Sequence, residues 1–446
     1  MDHKKFYIII AVLLIFTISS CSKSTYDKLL NQNLKCDNCN IIIIHIDALR
    51  ADHISAYGYT MKTTPNIDKF ANKSFIFKNA ITASSWTLPS TMSIFTSTYP
   101  SEHGIKNLYL RNKRGELIQA NLQTINPDTD TLAKILKQNN YATAAFTGGG
   151  GVHSRFGFDK GFDIYYEPGN FTGFELSITE ALKWLDKNKK FFLFLHGYDI
   201  HGRYYTEKNY SGIFIDKNYN GTYTGEKEQQ IELRNQSLEE GYLNLSREDK
   251  EFWIGLYDSR LYDADKRIGS FLSKVEDFGL LNNSIIIILA DHGEELFERN
   301  RIDHGFSLYD ELIHVPLIIY IPHLKQYRAI QQQVRTIDVM PTILDLIGIK
   351  INEDLNNQMR GTSLVPLMEG QHISLDAFSE TDYLYKVFQR SIRKSNGWKF
   401  IYSLDTNKRE LYNLNEDPEE KNNLVDKEPR IAYELEQELF SYMYGS

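Results

Sequence analysis

Uninterrupted apolar runs alternate with amphipathic segments along most of the chain. Residues 41–44 are four consecutive isoleucines with no polar position between them. Such runs are typical of parallel strands that are buried on both faces of a sheet. Further apolar runs occur at 141–146, 191–195, 285–290 and 316–321, and apolar residues at helical spacing occur at 131–139, 178–187 and 249–278. The alternation predicts an α/β fold with a mostly parallel central sheet and helices on both faces.

Polar side chains follow two of these apolar runs directly. Asp47 comes just after the first run, and Asp291 and His292 come just after 285–290. Thr87 precedes a proline and a serine, an order that favours a hydroxyl group at the N-terminus of a helix. The carboxyl ends of parallel strands share one edge of a sheet, where ligands bind. We therefore expect Asp47, Thr87, Asp291 and His292 to bind one divalent cation, which would lower the pKa of the Thr87 hydroxyl.

A second set of polar residues follows the run at 191–195. Asp199 and His201 come after that run, and His304 lies further along the chain. These three residues are candidates either for substrate contacts or for a second metal site. Arg203 is a candidate clamp for an anionic group, with a solvated surface arginine as the alternative. Residues 202–248 interrupt the strand–helix rhythm and predict a long surface excursion near the site.

The first 20 residues have the order of a signal peptide. Two lysines precede an apolar stretch at 6–18, and small residues precede Cys21. This order resembles the lipobox of bacterial lipoproteins, in which Cys21 becomes the lipidated N-terminus; an ordinary cleaved signal peptide is the alternative. Residues 21–39 then predict a lipid-anchored tether. The protein is expected to be exported and held at a bacterial cell membrane, on the periplasmic or the cell-surface side.

The net charge and the cysteine content argue against nucleic-acid binding and against a zinc site made of cysteines. The net charge of −8 gives no basic surface for binding nucleic acid, so no nucleic-acid partner is expected. Apart from Cys21, the cysteines are Cys36 and Cys39. A zinc site would need four ligands, and an exported protein favours a small local disulfide instead.

Several short motifs, in this order along the chain, resemble those of the sulfatase family of the alkaline phosphatase superfamily. They lie at 47–52, 85–91, 99–104, 156–163, 291–295, 338–342, 361–364, 398–402 and 410–418. The resemblance implies a sulfatase-like α/β sandwich, with a catalytic domain at 40–369. It also implies a C-terminal subdomain at 370–446, made of a small antiparallel sheet and a helix.

The chain departs from the family pattern at the nucleophile. Sulfatases carry a Cys or Ser that is oxidised to formylglycine, in a Cys/Ser-x-Pro-x-Arg frame, whereas this chain has Thr87 first and Thr91 last. The Cβ methyl group of threonine prevents that oxidation, so no formylglycine is expected. Ala48 replaces an acidic neighbour of Asp47, and His292 stands where sulfatases often carry an amide. These changes favour zinc or manganese over calcium, which prefers more oxygen ligands.

The resemblance implies a hydrolase of sulfate or phosphate esters. The expected reaction is in-line attack by Thr87, with His201 protonating the leaving alcohol. The expected substrate is an anionic ester, such as a sulfated or phosphorylated glycan or lipid. Two alternatives stay open: a phospho-group transferase acting on envelope components, and a catalytically silent lipoprotein that binds a glycan or a partner.

Overall fold

The computed structural model describes residues 34–106, 109–111, 117–119, 125–185, 190–202, 212–324, 328–384 and 386–444. The strands are β1 Asn40–Ile46, β2 Phe75–Ile81, β3 Tyr109–Arg111, β4 Leu117–Gln119, β5 Ala142–Phe146, β6 Ile164–Tyr166, β7 Phe191–Gly197, β8 Ser284–Leu289, β9 Glu295–Leu296, β10 Ile302–Asp303, β11 His314–Tyr320, β12 Ala329–Arg335, β13 Ala377–Tyr383, β14 Val387–Arg393, β15 Trp398–Ser403 and β16 Arg409–Asn413. The α-helices are α1 Pro65–Ala71, α2 Thr87–Thr96, α3 Pro100–His103, α4 Leu132–Gln138, α5 Phe174–Leu185, α6 Lys227–Glu240, α7 Arg247–Asp277, α8 Asp310–Ile313, α9 Val339–Leu346, α10 Glu353–Gln358, α11 Val365–Met368 and α12 Pro429–Tyr444.

Eight strands form the central sheet, in the order β12-β2-β11-β8-β1-β7-β5-β6. β11 pairs antiparallel with both of its neighbours, and the other pairings in this sheet are parallel. Every residue of β1, β7 and β8 is buried, so both faces at the centre of the sheet are covered. This agrees with the mostly parallel sheet that the apolar runs predicted.

The C-terminal part is a separate small layer. Strands β13 to β16 pair in order as an antiparallel sheet. Leu435 and Leu439 of α12 pack against Ile392, Phe400 and Leu411 of that sheet. The four-stranded sheet confirms the small C-terminal antiparallel sheet that the resemblance implied.

The predicted tether extends too far into the chain. Leu34 is buried, the N–H of Cys36 donates a hydrogen bond to the carbonyl of Leu346 (2.7 Å), and Cys36 forms a disulfide with Cys39. Residues 34–39 are therefore part of the folded domain, and the local disulfide is confirmed. The predicted signal peptide and Cys21 lie outside the described residues. Within the described ranges, no helix combines the length and the apolar character needed to cross a bilayer.

The described part of the segment at 202–248 differs from the predicted surface excursion, because it includes a partly buried helix. Among its described residues it contains α6, whose Gln230, Leu233 and Ser237 are buried. The helix was not predicted because these positions include two polar residues and give no apolar periodicity. Arg203 lies in the part of this segment that is outside the described residues.

Candidate active site

Two neighbouring strands place their carboxylates side by side. β1 and β8 are adjacent and parallel, and Asp47 and Asp291 follow them at the same edge. Ala48 adopts a left-handed backbone conformation (φ 58°), and its N–H donates to Oδ1 of Asp291 (3.3 Å). The turn after β1 therefore holds the two carboxyl groups close together, and both are fully buried.

Thr87 is the first residue of helix α2, as the sequence predicted. Its hydroxyl group donates to Oδ2 of Asp47 (3.1 Å) and lies 3.3 Å from Nε2 of His292. Gly151 fixes the opposite side of Thr87, because a Cβ atom at this glycine would lie 2.8 Å from Cβ of Thr87. The Thr87 hydroxyl is thus confined between an acidic group and an imidazole.

These side chains fit a divalent cation. Ligand atoms of Asp47, Asp291 and His292 lie within 4.8 Å of one another. Among the described residues nothing donates a hydrogen bond to Oδ1 of Asp47, although this atom is buried. Nδ1 of His292 donates to the carbonyl of Gly293 (2.7 Å), which leaves the lone pair of Nε2 directed at the carboxylates. A metal ion would coordinate both the unpaired buried carboxylate oxygen and the neutral imidazole nitrogen beside it.

The ionisation of this group follows from its burial. Burial and the neighbouring Asp291 raise the pKa of Asp47 well above its ordinary value. Burial opposes ionisation of Asp291 too, but the imidazoles of His292 and His45 outweigh it and lower the pKa of Asp291 to about 2. Burial lowers the pKa of His292 to about 4, so this imidazole is neutral at pH 7. A neutral imidazole is the form that binds metals.

A second group of acidic and imidazole side chains lies beside the first. Nδ1 of His304 is 3.0 Å from Oε1 of Glu294 and 3.3 Å from Oδ1 of Asp303. Nε of Arg234 is 2.8 Å from Oδ2 of Asp303. Burial disfavours the charged form of His304, but Asp303 and Glu294 outweigh it and raise its pKa. Unlike Asp47, Asp303 is already paired with a cation of the protein itself, the guanidinium of Arg234.

The structure separates the residues that were predicted for substrate contacts or a second metal. The rings of His201 and His304 lie 4.8 Å apart and line the same cavity. The carboxylate of Asp199 instead accepts a hydrogen bond from the N–H of Phe174 (2.6 Å) and pairs with Arg267 (3.1 Å). Because both of its oxygens are engaged there, the structure does not support Asp199 as a metal ligand.

The cavity above Thr87 has a volume of about 410 Å³. It is lined by residues from distant parts of the chain, namely Trp86, Thr87, Gly151, Phe171, His201, Gly202, Gln230, Ile231, Arg234, Asp303, His304, Tyr383 and Leu384. A larger cleft of about 750 Å³ lies elsewhere, between the loop that joins β9 to β10 and the C-terminal sheet. That cleft includes none of the metal-binding candidates, so the smaller cavity is the candidate active site.

Sequence reasoning missed several residues of this cavity. Gly151 ends a run of four glycines that directly follows Thr147, just beyond β5, and this run was the available signal. The N–H of Gly151 donates to the hydroxyl of Tyr198 (2.8 Å), which anchors the glycine run beside Thr87. No sequence pattern marked Arg234 or Tyr383. Arg234 lies on a helix without apolar periodicity, and Tyr383 lies on a strand of the C-terminal sheet.

The fold and the site define an α/β protein with a hydroxyl group positioned beside a possible metal-binding group. The sequence profile named Sulfatase matches residues 39–349, and the profile named N-sulphoglucosamine sulphohydrolase, C-terminal, matches residues 298–443. An N-acetylglucosamine-6-O-sulfatase of Bacteroides thetaiotaomicron is 24% identical over 479 residues, covering 87% of this chain and 83% of the relative.

Solved structures share the fold. A structure in complex with its substrate D-glucosamine-2-N,6-O-disulfate has a TM-score of 0.71 at 21% identity, covering 91% of this chain and 97% of the other. The phosphonate monoester hydrolase of Agrobacterium radiobacter has a TM-score of 0.69 at 15% identity, covering 90% of this chain and 95% of the other. The chain therefore belongs to the sulfatase family. It is an enzyme, a hydrolase of this family.

Proposed function

We propose that the protein hydrolyses a sulfate or phosphate ester by in-line attack of Thr87, with one divalent cation held by Asp47, Thr87, Asp291 and His292. One observation carries the proposal: the Thr87 hydroxyl lies 3.1 Å from Asp47 and 3.3 Å from His292, at the floor of the cavity. A bound cation would favour the ionised hydroxyl and withdraw charge from the ester oxygens. Zinc or manganese suits three oxygen donors and one imidazole better than calcium does.

The chain's own residues then supply positioning and proton transfer. Oγ1 of Thr87 forms a bond to sulfur or phosphorus while the bond to the leaving alcohol breaks on the opposite side. The leaving oxygen takes a proton from an imidazole of the cavity wall. The sequence pointed to His201. Among the described residues, Nδ1 of His201 faces the carbonyl of Gly202 (3.0 Å), whereas Nδ1 of His304 faces two carboxylates, which favour its protonated form. We therefore assign the proton to His304 and a substrate contact to His201.

The second half of the reaction restores the enzyme. Water attacks the sulfur or phosphorus of the Thr87 ester and gives a proton to the neutral imidazole of His304, while Oγ1 of Thr87 leaves. Both steps of the reaction are displacements at the same sulfur or phosphorus atom, so the same side chains act in both. The relatives' names support sulfated sugars as the first substrates to test, and the phosphonate monoester hydrolase supports a parallel test of phosphorus esters.

The decisive experiment is to trap the esterified threonine. The protein is incubated with 4-nitrophenyl sulfate, 4-nitrophenyl phosphate and a phosphonate monoester, then quenched in acid and digested for mass spectrometry. We expect a sulfate or phosphate group on Thr87, and no formylglycine at this position. Thr87→Ala should lose turnover by at least a thousandfold, whereas Thr87→Ser should keep part of it. Full activity in Thr87→Ala would refute the proposal, and transfer of the trapped group to an added alcohol would instead favour a transferase.

We also propose that the enzyme is exported and anchored by lipid at Cys21. The proposal is supported by the order of charged, apolar and small residues in the first 21 positions. Expression in a bacterium that is fed an alkyne fatty acid should label the full-length chain and not Cys21→Ser. Secretion of an unlabelled wild-type protein would show an ordinary signal peptide instead.

A further inference from the structure

The cavity wall contains an unusual amount of left-handed backbone. Phe171 (φ 60°), Asp303 (φ 89°) and Leu384 (φ 50°) all line the cavity, and none of them is a glycine. For bulky side chains this conformation costs free energy, and it concentrates at functional sites. Phe171 is also 45% exposed, and its ring contacts the rings of Tyr198 (5.0 Å) and His201 (5.2 Å). The backbone thus holds an aromatic ring at the opening of the cavity.

Arg234 lies on the same wall and is fixed on two sides. Its Nε lies 2.8 Å from Oδ2 of Asp303, and its Nη2 donates to the hydroxyl of Tyr383. The Tyr383 contact uses one of the five N–H donors of the guanidinium group, and the Asp303 contact is an ion pair in which Nε lacks hydrogen-bond geometry. The side chain of Arg234 is 33% exposed, whereas Thr87 is only 5% exposed. The arginine is therefore oriented in advance, and it lies nearer to the opening than the nucleophile.

In-line attack determines where the leaving alcohol lies. The alcohol departs on the side of the reacting centre opposite to Thr87, so it extends from the floor of the cavity toward the opening. Phe171 and Arg234 border that path. A planar guanidinium that is held in place binds carboxylate or sulfate oxygens through parallel N–H donors.

We infer that Arg234 determines specificity by binding a second anionic group on the alcohol part of the substrate. This inference rests on the proposed function and deepens it. The substrate class is then a ring alcohol that carries the reacting ester and, in addition, a carboxylate or a second sulfate, with one face of the ring against Phe171. Arg234 acts on recognition of the leaving group and not on the reacting centre.

The test compares esters that differ only in a second charge. The parent probe is the 4-nitrophenyl ester that the wild type hydrolyses, and its partners are the 2-carboxy and 3-carboxy isomers. Because each variant is compared with the wild type on the same probe, the intrinsic reactivity of the leaving group cancels. We expect Arg234→Gln to lower kcat/KM for at least one carboxylated isomer about tenfold more than for the parent, mainly through KM. Arg234→Lys should lose part of the preference, since it keeps the charge without the planar fork.

Two controls separate recognition from damage. Arg234→Gln leaves Asp303 without its partner, so the double variant Arg234→Gln/Asp303→Asn removes both charges and should lose the same preference. Its turnover of the parent probe should also fall, because Asp303 is one of the two carboxylates that face His304, so only the ratio between probes is compared. Arg247→Gln changes an 86% exposed arginine at the start of α7 and should keep the wild-type ratio of the probes. An equal loss on all probes in Arg234→Gln, or no carboxylate preference in the wild type, would overturn the inference. If the wild type hydrolyses none of the 4-nitrophenyl esters, the proposed function itself is refuted.

Discussion

Replacing Asp47 with Asn tests the central feature of the site, a pair of buried carboxylates in which Oδ1 of Asp47 has no hydrogen-bond donor among the described residues. Ligand atoms of Asp47 and Asp291 lie no more than 4.8 Å apart. At an effective dielectric constant of about 20, two unit charges at this distance repel by about 3 kcal/mol. Asp47→Asn removes that repulsion while the side-chain oxygen can still accept a hydrogen bond from Thr87. We therefore expect the metal-free variant to unfold at the same or a higher temperature than metal-free wild type.

The stabilising effect depends on pH in a defined direction. The pKa of Asp47 is raised in the folded protein, so its cost to stability is absent at low pH and appears as the pH rises through the folded pKa. The advantage of Asp47→Asn should therefore be larger at pH 9 than at pH 5. Thermal unfolding of both proteins in the presence of chelator measures this difference directly.

Added metal should make the wild type unfold at a higher temperature than Asp47→Asn. A cation at a hundred times its dissociation constant stabilises the folded state by about 2.7 kcal/mol, equivalent to about 3 °C for a chain of this size. Zinc or manganese should therefore raise the Tm of the wild type and leave that of Asp47→Asn almost unchanged.

Asp265→Asn is the matched control, because Asp265 is also fully buried. Its carboxylate accepts hydrogen bonds from the N–H groups of Asn66 (2.9 Å) and Ile67 (2.8 Å) and from the Asn66 amide (2.7 Å). An asparagine there turns one acceptor into a donor, so we expect a loss of about 1–3 kcal/mol and an unchanged response to metal. If Asp47→Asn destabilises as strongly as Asp265→Asn, and wild type responds to neither metal nor chelator, the proposed cation site is refuted.

Two further predictions concern the glycine beside the nucleophile and a buried glutamate. Gly151→Ala would place a Cβ 2.8 Å from Cβ of Thr87, so its kcat should fall about a hundredfold. The control Gly169→Ala meets only the methyl group of Thr172 at 3.5 Å and should keep a kcat near that of the wild type. Equal kcat values in the two variants would contradict this steric reasoning. Burial raises the pKa of Glu311 to about 8, so its cost to stability grows between about pH 4.5 and 8. Glu311→Gln should therefore raise the Tm at pH 9 but not at pH 5, and a gain independent of pH would contradict the cause.

The sequence was most informative where apolar patterning and topology act together. The isoleucine run at 41–44 predicted a strand buried on both faces, and its pairing with a parallel neighbour that includes 285–289 places Asp47 and Asp291 at one edge. Thr87 was predicted from the order of residues at a helix N-terminus. These inferences succeeded because they depend on backbone direction alone.

The apolar pattern and the strand order did not predict which way the side chains turn. Asp199 follows β7 as Asp47 follows β1, yet its carboxylate turns to Arg267 of the long helix α7. The pairing of Asp303 with Arg234 joins two segments 69 residues apart, from a helix without apolar periodicity. Neither contact leaves a local pattern, because each depends on how separate elements pack.

The difference between the two acidic groups leads to a last prediction, that the enzyme binds one cation and not two. Oδ1 of Asp47 has no hydrogen-bond donor among the described residues, so the first group lacks a positive partner. In the second group, Arg234 already pairs with Asp303, and His304 contacts both Asp303 and Glu294.

A second cation there would have to displace a guanidinium at 2.8 Å from Asp303 and compete for an imidazole nitrogen that already faces two carboxylates. Elemental analysis of protein that has been saturated with zinc or manganese and then dialysed should give one equivalent per chain, falling below 0.2 equivalents in Asp47→Asn. Two equivalents in the wild type, with one retained in Asp47→Asn, would show that Glu294, Asp303 and His304 bind metal, and Arg234 would then have to leave Asp303 when the site is loaded.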